Sequence, residues 1–404
     1  MRKIIFINRF FYPDHSATAQ ILTDLVINLR HDNKEVHVVT SRMLYDQPNA
    51  LLSDEEIFNN VRIHRCMTTR FGRSNLLGRS MDYLSFYVTS FFKLLMIASK
   101  DDVLVVKTDP PMISIIVLVV SIIKQCHMIN WVQDMFPEIA KELGVKYFDG
   151  FLYVLIKKLR NWSFKKAKYN VAIGQIMFDR ISKNTYPIKN TKIIHNWVVG
   201  KEMKPVDRVE NYLIDDWKLR DKFIVGYSGN LGRAHDLETL FNTIKNLEKD
   251  KEIVFVFIGG GAGYDEIKSR VEEQKLTNVL FKPYQDSDVL SFSLSLPDVH
   301  IVSLNPKLEG LIVPSKIYGI LSVGRPIIFV GGEISEVNDI VSKANCGDFV
   351  NIGDNEALSL KIRELKENNE LKNNYSLNSH RVFNEKFMPQ VALQQWEKLL
   401  NELC

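Results

Sequence analysis

Short apolar runs alternate with amphipathic stretches along almost the whole chain, and the second half repeats the order of the first. Residues 3–8, 35–40, 103–108, 128–133 and 169–173 are short, β-rich runs that read as strands. Stretches 17–30, 82–100 and 111–124 between them carry apolar residues at helical spacing. In the second half, 223–227, 253–258, 279–281, 299–302 and 326–329 read as strands. Stretches 237–248, 263–274, 315–323 and 357–368 read as the helices between them. Strands alternating with helices predict parallel sheets covered on both faces. The expected class is α/β, with two Rossmann-like, doubly wound domains. Such sheets bind ligands at the carboxyl ends of their strands, so the two are expected to face each other across a cleft.

The seam falls between Trp197 and Phe223, where Gly200, Pro205 and the run Asp207-Arg208-Val209-Glu210 interrupt any long apolar period. This divides the chain into domains 1–200 and 201–383. Residues 384–404 carry Phe387, Val391, Leu393, Trp396, Leu399 and Leu400 near helical spacing, and read as a terminal helix packing back toward the first domain. Stretch 112–123 is almost wholly apolar, but a membrane span needs roughly 20 residues, so a buried helix is expected there.

Composition narrows the class without changing it. With 46% hydrophobic and 25% charged residues among 404, the chain is neither disordered nor fibrous. Cys66, Cys126, Cys346 and Cys404 are widely spaced and fit a reducing cytoplasm better than a disulfide framework or zinc site. Met1-Arg2-Lys3 runs straight into an apolar strand, which does not resemble a secretory leader. Charge is uneven. Residues 1–200 hold 27 Lys and Arg against 17 Asp and Glu, and the remainder 25 against 31. The first half is thus the one suited to an anionic partner, although chance distribution over solvated faces explains the split as well.

In the second half three segments could hold an anion. Tyr227-Ser228-Gly229-Asn230-Leu231-Gly232-Arg233 follows a strand and precedes a helix; its glycines let backbone amides approach a phosphate, and Arg233 could add a charge-assisted bond. A plain strand-to-helix turn explains it equally. Phe257-Ile258-Gly259-Gly260-Gly261-Ala262-Gly263 repeats the device without the spacing of a dinucleotide fingerprint. Val313-Pro314-Ser315-Lys316 carries the strongest signal, with Pro314 and Ser315 at a helix start and Lys316 as a point charge. Gly324-Arg325-Pro326 closes that helix, and Glu336, opening the next, could hold a sugar hydroxyl.

In the first half, Asp134 lies at the end of an apolar strand in Gln133-Asp134-Met135-Phe136-Pro137-Glu138. It is the first candidate for a catalytic or acceptor-binding carboxylate, with helix capping the alternative and Glu138 a second candidate. Segment 83–96 is rich in aromatics, and 147–168 interleaves Phe148, Phe151, Tyr153 and Trp162 with Lys157, Lys158, Arg160, Lys165, Lys166 and Lys168, a composition that suits an anionic membrane surface or an ordinary core. No nucleic-acid module accompanies the charge, and nucleic acid is not an expected partner.

The order Ser-Gly-Asn-Leu-Gly (228–232), Ile-Gly-Gly-Gly (258–261) and Val-Pro-Ser-Lys-x-Tyr-x-x-Leu-x-x-Gly-Arg-Pro (313–326) resembles retaining GT-B glycosyltransferases of family 4. The closest group is the O-antigen, capsule and colanic-acid enzymes, including N-acetylfucosamine transferases. The resemblance extends to Phe11-Tyr12-Pro13-Asp14, Val36–Thr40 and Trp131–Glu138, hence over nearly the whole chain. It implies a GT-B fold and a hexosyl- or N-acetylhexosaminyl-type transfer. A sugar would pass from a nucleotide-sugar donor, UDP-linked, to an undecaprenyl-diphosphate-linked saccharide in lipopolysaccharide (O-antigen) or capsule biosynthesis. The enzyme would work as a peripheral membrane protein at the inner face of the bacterial plasma membrane, its first domain facing the lipid.

The resemblance further implies no metal and no cofactor; Asp286-Ser287-Asp288 matches a metal motif by letters alone. It places Ser228, Gly229, Asn230, Arg233, Gly260, Gly261, Pro314, Ser315, Lys316 and Glu336 at the donor. His15, Ser16 and Ala17 fall on the loop bordering the diphosphate and the acceptor. The chain departs from the family where a Glu pair spaced eight apart would fall, at Leu311 and Gly319. It departs again where phosphate-binding Arg and Lys are usual, at Asn230 and His235. A nucleotide-sugar 2-epimerase of the same architecture and a non-catalytic assembly subunit are the alternatives.

Overall fold

The structure, a computed structural model, describes residues 2–29, 34–47, 49–50, 52–72, 76–145, 148–183, 188–199 and 203–403. Gly200 of the expected linker, Tyr147 of the basic aromatic segment, Arg30 and Cys404 lie outside them. Two compact units divide the chain, Met1–His195 with Pro389–Cys404, and Asn196–Met388.

The first unit is built on β1 (Arg2–Ile7), β2 (Lys34–Ser41), β3 (Glu55–Phe58), β4 (Val61–Cys66), β5 (Val103–Lys107), β6 (His127–Val132), β7 (Tyr169–Ala172) and β8 (Thr191–Ile193). The sheet order is β3-β4-β2-β1-β5-β6-β7-β8, parallel throughout except for the antiparallel edge pair β3–β4. Its helices are α1 (Ala17–Asn28), α2 (Leu76–Ile97), α3 (Ile113–Lys124), α4 (Glu138–Glu142), α5 (Phe151–Lys166) and α6 (Gln175–Ser182). The central strands are buried on both faces, which is why they read as unbroken apolar runs. Phe86 and Leu94 of α2, with Val117 and Leu118 of α3, close over Ile5, Ile7, Leu104 and Val106. Stretch 112–123 thus forms a sheet-covering helix, although Ile122 and Ile123 at its end are exposed. Among the described residues, no helix is long and apolar enough to cross a membrane.

The second unit has β9 (Phe223–Asn230), β10 (Ile253–Gly260), β11 (Val279–Lys282), β12 (Val299–Ser303), β13 (Ile327–Gly331) and β14 (Gly347–Asn351), all parallel, in the order β11-β10-β9-β12-β13-β14. Around it lie α7 (Leu213–Asp216), α8 (Glu238–Asn246), α9 (Ala262–Glu273), α10 (Leu290–Ser295), α11 (Lys316–Ser322), α12 (Glu336–Ala344), α13 (Asn355–Glu367) and α14 (Asn369–Val382). Alternate residues of β9 serve two cores. Phe223, Val225 and Tyr227 face one, and Ile224 faces the other.

The end of the chain differs from the single helix expected over 384–403. Phe383–Phe387 wind as a π-turn that continues α14, and Phe387 stays in the second unit against the Tyr318 ring, 5.3 Å between centroids. Met388 is extended, as residues preceding proline prefer, and Pro389 opens α15 (Pro389–Asn401). Only α15 joins the first unit, where Trp396 is fully buried against Trp131 at 4.7 Å between ring centroids.

Strand order reverses direction at one place in each sheet, between β1 and β5 in the first and between β9 and β12 in the second. Loops leaving the carboxyl ends of neighbouring strands diverge there and open a crevice, so these are the places where each unit is built to hold a ligand.

Candidate donor and catalytic sites

At the switch point of the second unit, β9 ends in Ser228-Gly229-Asn230 and β10 in Gly259-Gly260, paired in register Gly229 with Gly259 and Asn230 with Gly260. Glycine is required by closeness of approach. A Cβ on Gly259 would lie 2.3 Å from the Gly229 carbonyl oxygen, and one on Gly261 would lie 2.2 Å from Asn230 Oδ1. Both also have positive φ, +140° and +111°. The two turns are thus locked backbone to backbone, and the Ser228 hydroxyl is enclosed without a hydrogen-bond partner among the described residues.

Lys316, first residue of α11, reaches into this crevice. Its ammonium donates to Tyr227 Oη at 2.6 Å and to the Asn230 carbonyl at 3.3 Å, and lies 3.8 Å from the centre of the Tyr227 ring. All three partners are neutral. No described carboxylate pairs with this cation, and desolvation pulls it down to about 7. His235 stands beside it, Nδ1 against the Ser303 carbonyl, its imidazole drawn down to about 4 by burial and by Lys316. The Ser303 hydroxyl accepts from the Asp236 amide, and the Asp236 carboxylate accepts from the Thr239 amide in the first turn of α8 at 3.0 Å. A cation without a counter-ion, beside an unfilled hydroxyl and a glycine-lined turn, is an arrangement suited to an anion.

The other donor-side candidates sit differently. Arg233 is exposed and makes no hydrogen bond or ion pair among the described residues. Pro314 is buried and Ser315 exposed; the Ser315 hydroxyl does not cap α11, which begins one residue later than the sequence suggests. Glu336 is 5% exposed in the first turn of α12, and its charge raises the Tyr318 phenol further above a value already lifted by burial. Tyr227, which positions Lys316, was not a candidate from sequence, because a tyrosine inside an apolar strand reads as core.

In the first unit, Asp134 follows β6, its amide held by Thr108 Oγ1 at 3.2 Å. One side of it is open to solvent. Desolvation by the surrounding protein pushes its carboxyl up to about 6, with Asp109 adding like charge and Lys107 opposing. Lys107 is the residue that sequence reasoning passed over. It is 1% exposed, donates to the Thr18 carbonyl at 2.9 Å and lies 4.0 Å from the centre of the Trp131 ring. Burial pulls it down to about 7 against the upward pull of Asp109 and Asp134. A lysine closing an apolar run just before Thr108-Asp109-Pro110 was the available signal. Asp109, Asp134 and Lys107 therefore form one coupled group at the ends of β5 and β6.

Glu138 is engaged elsewhere. Its Oε1 pairs with Arg160 at 2.7 Å and Lys157 at 3.4 Å, and Arg160 also donates to the Phe136 carbonyl. In the loop after β1, His15 and Ala17 are exposed. The Ser16 amide donates to Asp14 at 2.8 Å, and its hydroxyl is enclosed without a hydrogen-bond partner among the described residues.

Comparison with known proteins follows the same division. Residues 213–382, most of the second unit, match the family described as glycosyl transferases group 1. The chain is 27% identical over 304 residues to a probable glycosyltransferase, WbjE, of Pseudomonas aeruginosa, covering 74% of this chain and 75% of the relative. It is 25% identical over 170 residues to the putative colanic acid biosynthesis glycosyl transferase WcaI of Escherichia coli, 42% of each chain. A sucrose-phosphate synthase from Thermosynechococcus elongatus superimposes with a TM-score of 0.79 at 15% identity, covering 100% of this chain and 99% of that one. HepE of Anabaena in complex with UDP and glucose gives 0.72 at 14%, covering 100% of both chains. Residues 213–382 thus match the glycosyl transferases group 1 family, and the whole chain has the fold of the GT-B glycosyltransferases.

Proposed function

We propose that the enzyme transfers a sugar, with retention of configuration, from a UDP-linked donor to a lipid-linked saccharide during assembly of a bacterial surface polysaccharide of the O-antigen or colanic-acid type. Lys316 carries the reading. A desolvated ammonium with only neutral partners, at the switch point of the unit that matches the family, has the charge and position to bind the donor diphosphate. It would stabilise that group as it leaves. Relatives and neighbours support the substrate classes: WcaI is named for colanic acid, and HepE was solved with UDP. Ser228, Gly229, Asn230, Arg233, Gly260, Gly261, Pro314, Ser315 and Glu336 are the further donor contacts of this reading. Asp134 is its candidate catalytic carboxylate. His15, Ser16 and Ala17 border the diphosphate and acceptor, and the sugar is an N-acetylated amino or deoxy hexose.

The test is a thermal-shift screen against UDP, GDP, dTDP, CMP and their common sugars. A ligand at 100 times its Kd is expected to stabilise the fold by about 2.7 kcal/mol. A response to UDP alone, lost in Lys316→Ala, supports the reading; no response to any nucleotide overturns it.

Work at an anionic membrane is part of the same proposal. On α2 the exposed residues Leu77, Met81, Leu84, Val88, Phe92 and Met96 recur at helical spacing, Leu77 with 82% of its surface open. On α5, Phe151, Leu155, Leu159 and Trp162 are exposed beside Lys158, Lys165 and Lys166, and α3 packs between the two helices. Apolar side chains flanked by lysines suit the acyl–headgroup boundary. Leu84→Ser with Phe92→Ser is expected to lower binding to phosphatidylglycerol vesicles about tenfold or more, each buried side chain being worth ~1.5–3 kcal/mol. Unchanged vesicle binding would remove this face from the proposal.

A further inference from the structure

A second pocket lies wholly within the first unit at the carboxyl ends of β1 and β2, beside the Asp134 group, since the Arg9 amide donates to the Asp109 carbonyl at 2.9 Å. Its volume is about 450 Å³, within the range of small-molecule sites. Arg9, Phe10, Tyr45, Asp46, Gly72 and Arg79 are among its lining residues.

Arg9 is unusually well held for an arginine at a pocket wall. It is 2% exposed, and its guanidinium lies about equally over the Phe10 and Tyr83 rings, at 5.0 and 4.9 Å from their centres. Its Nη2 meets Asp82 Oδ2 at 3.4 Å, too long for a strong ion pair. Asp82 itself is fully buried and already accepts from the Thr69 hydroxyl at 2.8 Å and from the Phe71 and Gly72 amides, each at 3.0 Å. The carboxylate is thus shared among several donors. Arg9 Nε has no hydrogen-bond partner among the described residues. The backbone of Arg9 is fixed as well, its carbonyl accepting from the Thr40 hydroxyl and the Ser41 amide, both at 2.9 Å. What results is a rigid guanidinium with donor capacity left over.

Arg79 brings a second guanidinium to the same pocket from the first turn of α2. Asp46, exposed, is the acid in the lining. Two guanidinium groups in one wall match the planar, bidentate demand of phosphate oxygens. The helix that carries Arg79 inward also carries the exposed apolar row outward, beginning at Leu77 in the same turn.

We propose that this pocket binds the phosphate or diphosphate headgroup of an acceptor carried on a hydrocarbon tail, with Arg9 and Arg79 on the headgroup and the tail leaving along the outer face of α2. This rests on the reading that the acceptor is lipid-linked. Free pyrophosphate offers the same headgroup without the tail, so the two sources separate by whether the hydrocarbon adds affinity.

The test measures binding of farnesyl diphosphate, inorganic pyrophosphate and farnesol to the full chain by calorimetry, with Arg79→Ala, Arg79→Lys and Lys316→Ala. Farnesyl diphosphate is expected to saturate one site, more tightly than pyrophosphate, while farnesol alone does not saturate. Arg79→Ala is expected to weaken it tenfold or more, Arg79→Lys to recover part of the loss, and Lys316→Ala to leave it unchanged. A UDP-dependent thermal shift retained in Arg79→Ala verifies that this variant is folded. Binding lost in Lys316→Ala but kept in Arg79→Ala would mean that the probe occupies the donor site, and would overturn the proposal. Equal affinity for pyrophosphate and farnesyl diphosphate would also overturn it. A wild-type chain that glycosylates a lipid-linked saccharide yet shows no Arg79-dependent binding defeats the pocket alone. Failure to glycosylate any lipid-linked acceptor defeats the reading beneath it.

Discussion

Lys316→Ala is expected to lower kcat with a UDP-sugar about 100-fold, the scale seen when one fixed donor to a developing negative charge is removed. Donor affinity should fall roughly 30-fold, since a hydrogen bond to a charged group contributes about 2 kcal/mol. The kcat effect exceeds the binding effect because the diphosphate gains charge as the glycosidic bond breaks, so the ammonium holds the leaving group more tightly than the bound donor. Tyr227 and the Asn230 carbonyl hold the ammonium in place beforehand. That placement removes the need for reorganisation during the reaction. pH provides an independent readout. With Lys316 lowered to about 7 in the free enzyme, a bound diphosphate raises it, so donor binding takes up protons. Affinity is therefore full below pH 7 and declines as pH rises above it, until the raised value of the complex is passed. Calorimetry in buffers of different ionisation enthalpy should register the uptake near pH 7.5, and Lys316→Ala should abolish it. Lys316→Arg would keep the charge but clash with the Tyr227 geometry, so only partial recovery is expected.

The central strands were legible because burial on both faces leaves an apolar run that nothing else explains; 103–108 was read as a strand and Val103–Lys107 is one. The edge strand β11 was read at 279–281, but the edge strands β3, β8 and β14 escaped, as did β4 inside the first sheet. Glu55–Phe58 alternates in burial along the edge of the sheet and is half acidic, and Gly347–Asn351 opens with Gly and Asp, so neither carries the apolar signal. α2 begins at Leu76, six residues before the start read from sequence, because Gly78, Arg79 and Ser80 mask the period. Asp82, which looked like a helix start, is instead buried mid-helix and ties down the loop before it through Thr69, Phe71 and Gly72.

The same contrast runs through the sites. Lys316 was legible because a lysine directly after Val-Pro-Ser has little reason to be there for packing. Its partner Tyr227 was not, since the hydroxyl that matters sits on an aromatic ring the core needs anyway. Lys107 and Arg9 were missed for a related reason: each ends an apolar strand, where a sequence reader expects the chain to have reached solvent. The fold returns both to the interior, Lys107 under Trp131 and Arg9 between two aromatic rings. Buried cations at strand ends are thus features that only tertiary packing creates, and they coincide with the switch point of the first sheet and with the pocket beside it.

Asp134→Asn is the second large effect expected, a fall in kcat of about 100-fold or more with the KM for the donor little changed, the range typical of a positioned acid or base. Asn keeps the shape, so the Asp134 amide should retain its bond to Thr108 Oγ1, and the loss reports on charge alone. The pH profile separates a chemical role from a structural one. Desolvation, then Asp109, push the Asp134 carboxyl up to about 6, while Lys107 pulls it back. Solvent on its open side screens part of this, which places the acidic limb between the ordinary carboxylate range and about 6. If the carboxylate is the working form, kcat/KM should fall as pH drops through that value, and the limb should vanish in Asp134→Asn. Lys107→Met supplies the cross-check. Removing the one cation of the group takes away the downward pull, so the limb should move to higher pH in that variant. A limb that stays in place in Lys107→Met, or persists in Asp134→Asn, would assign the titration to another group and take the catalytic role away from Asp134.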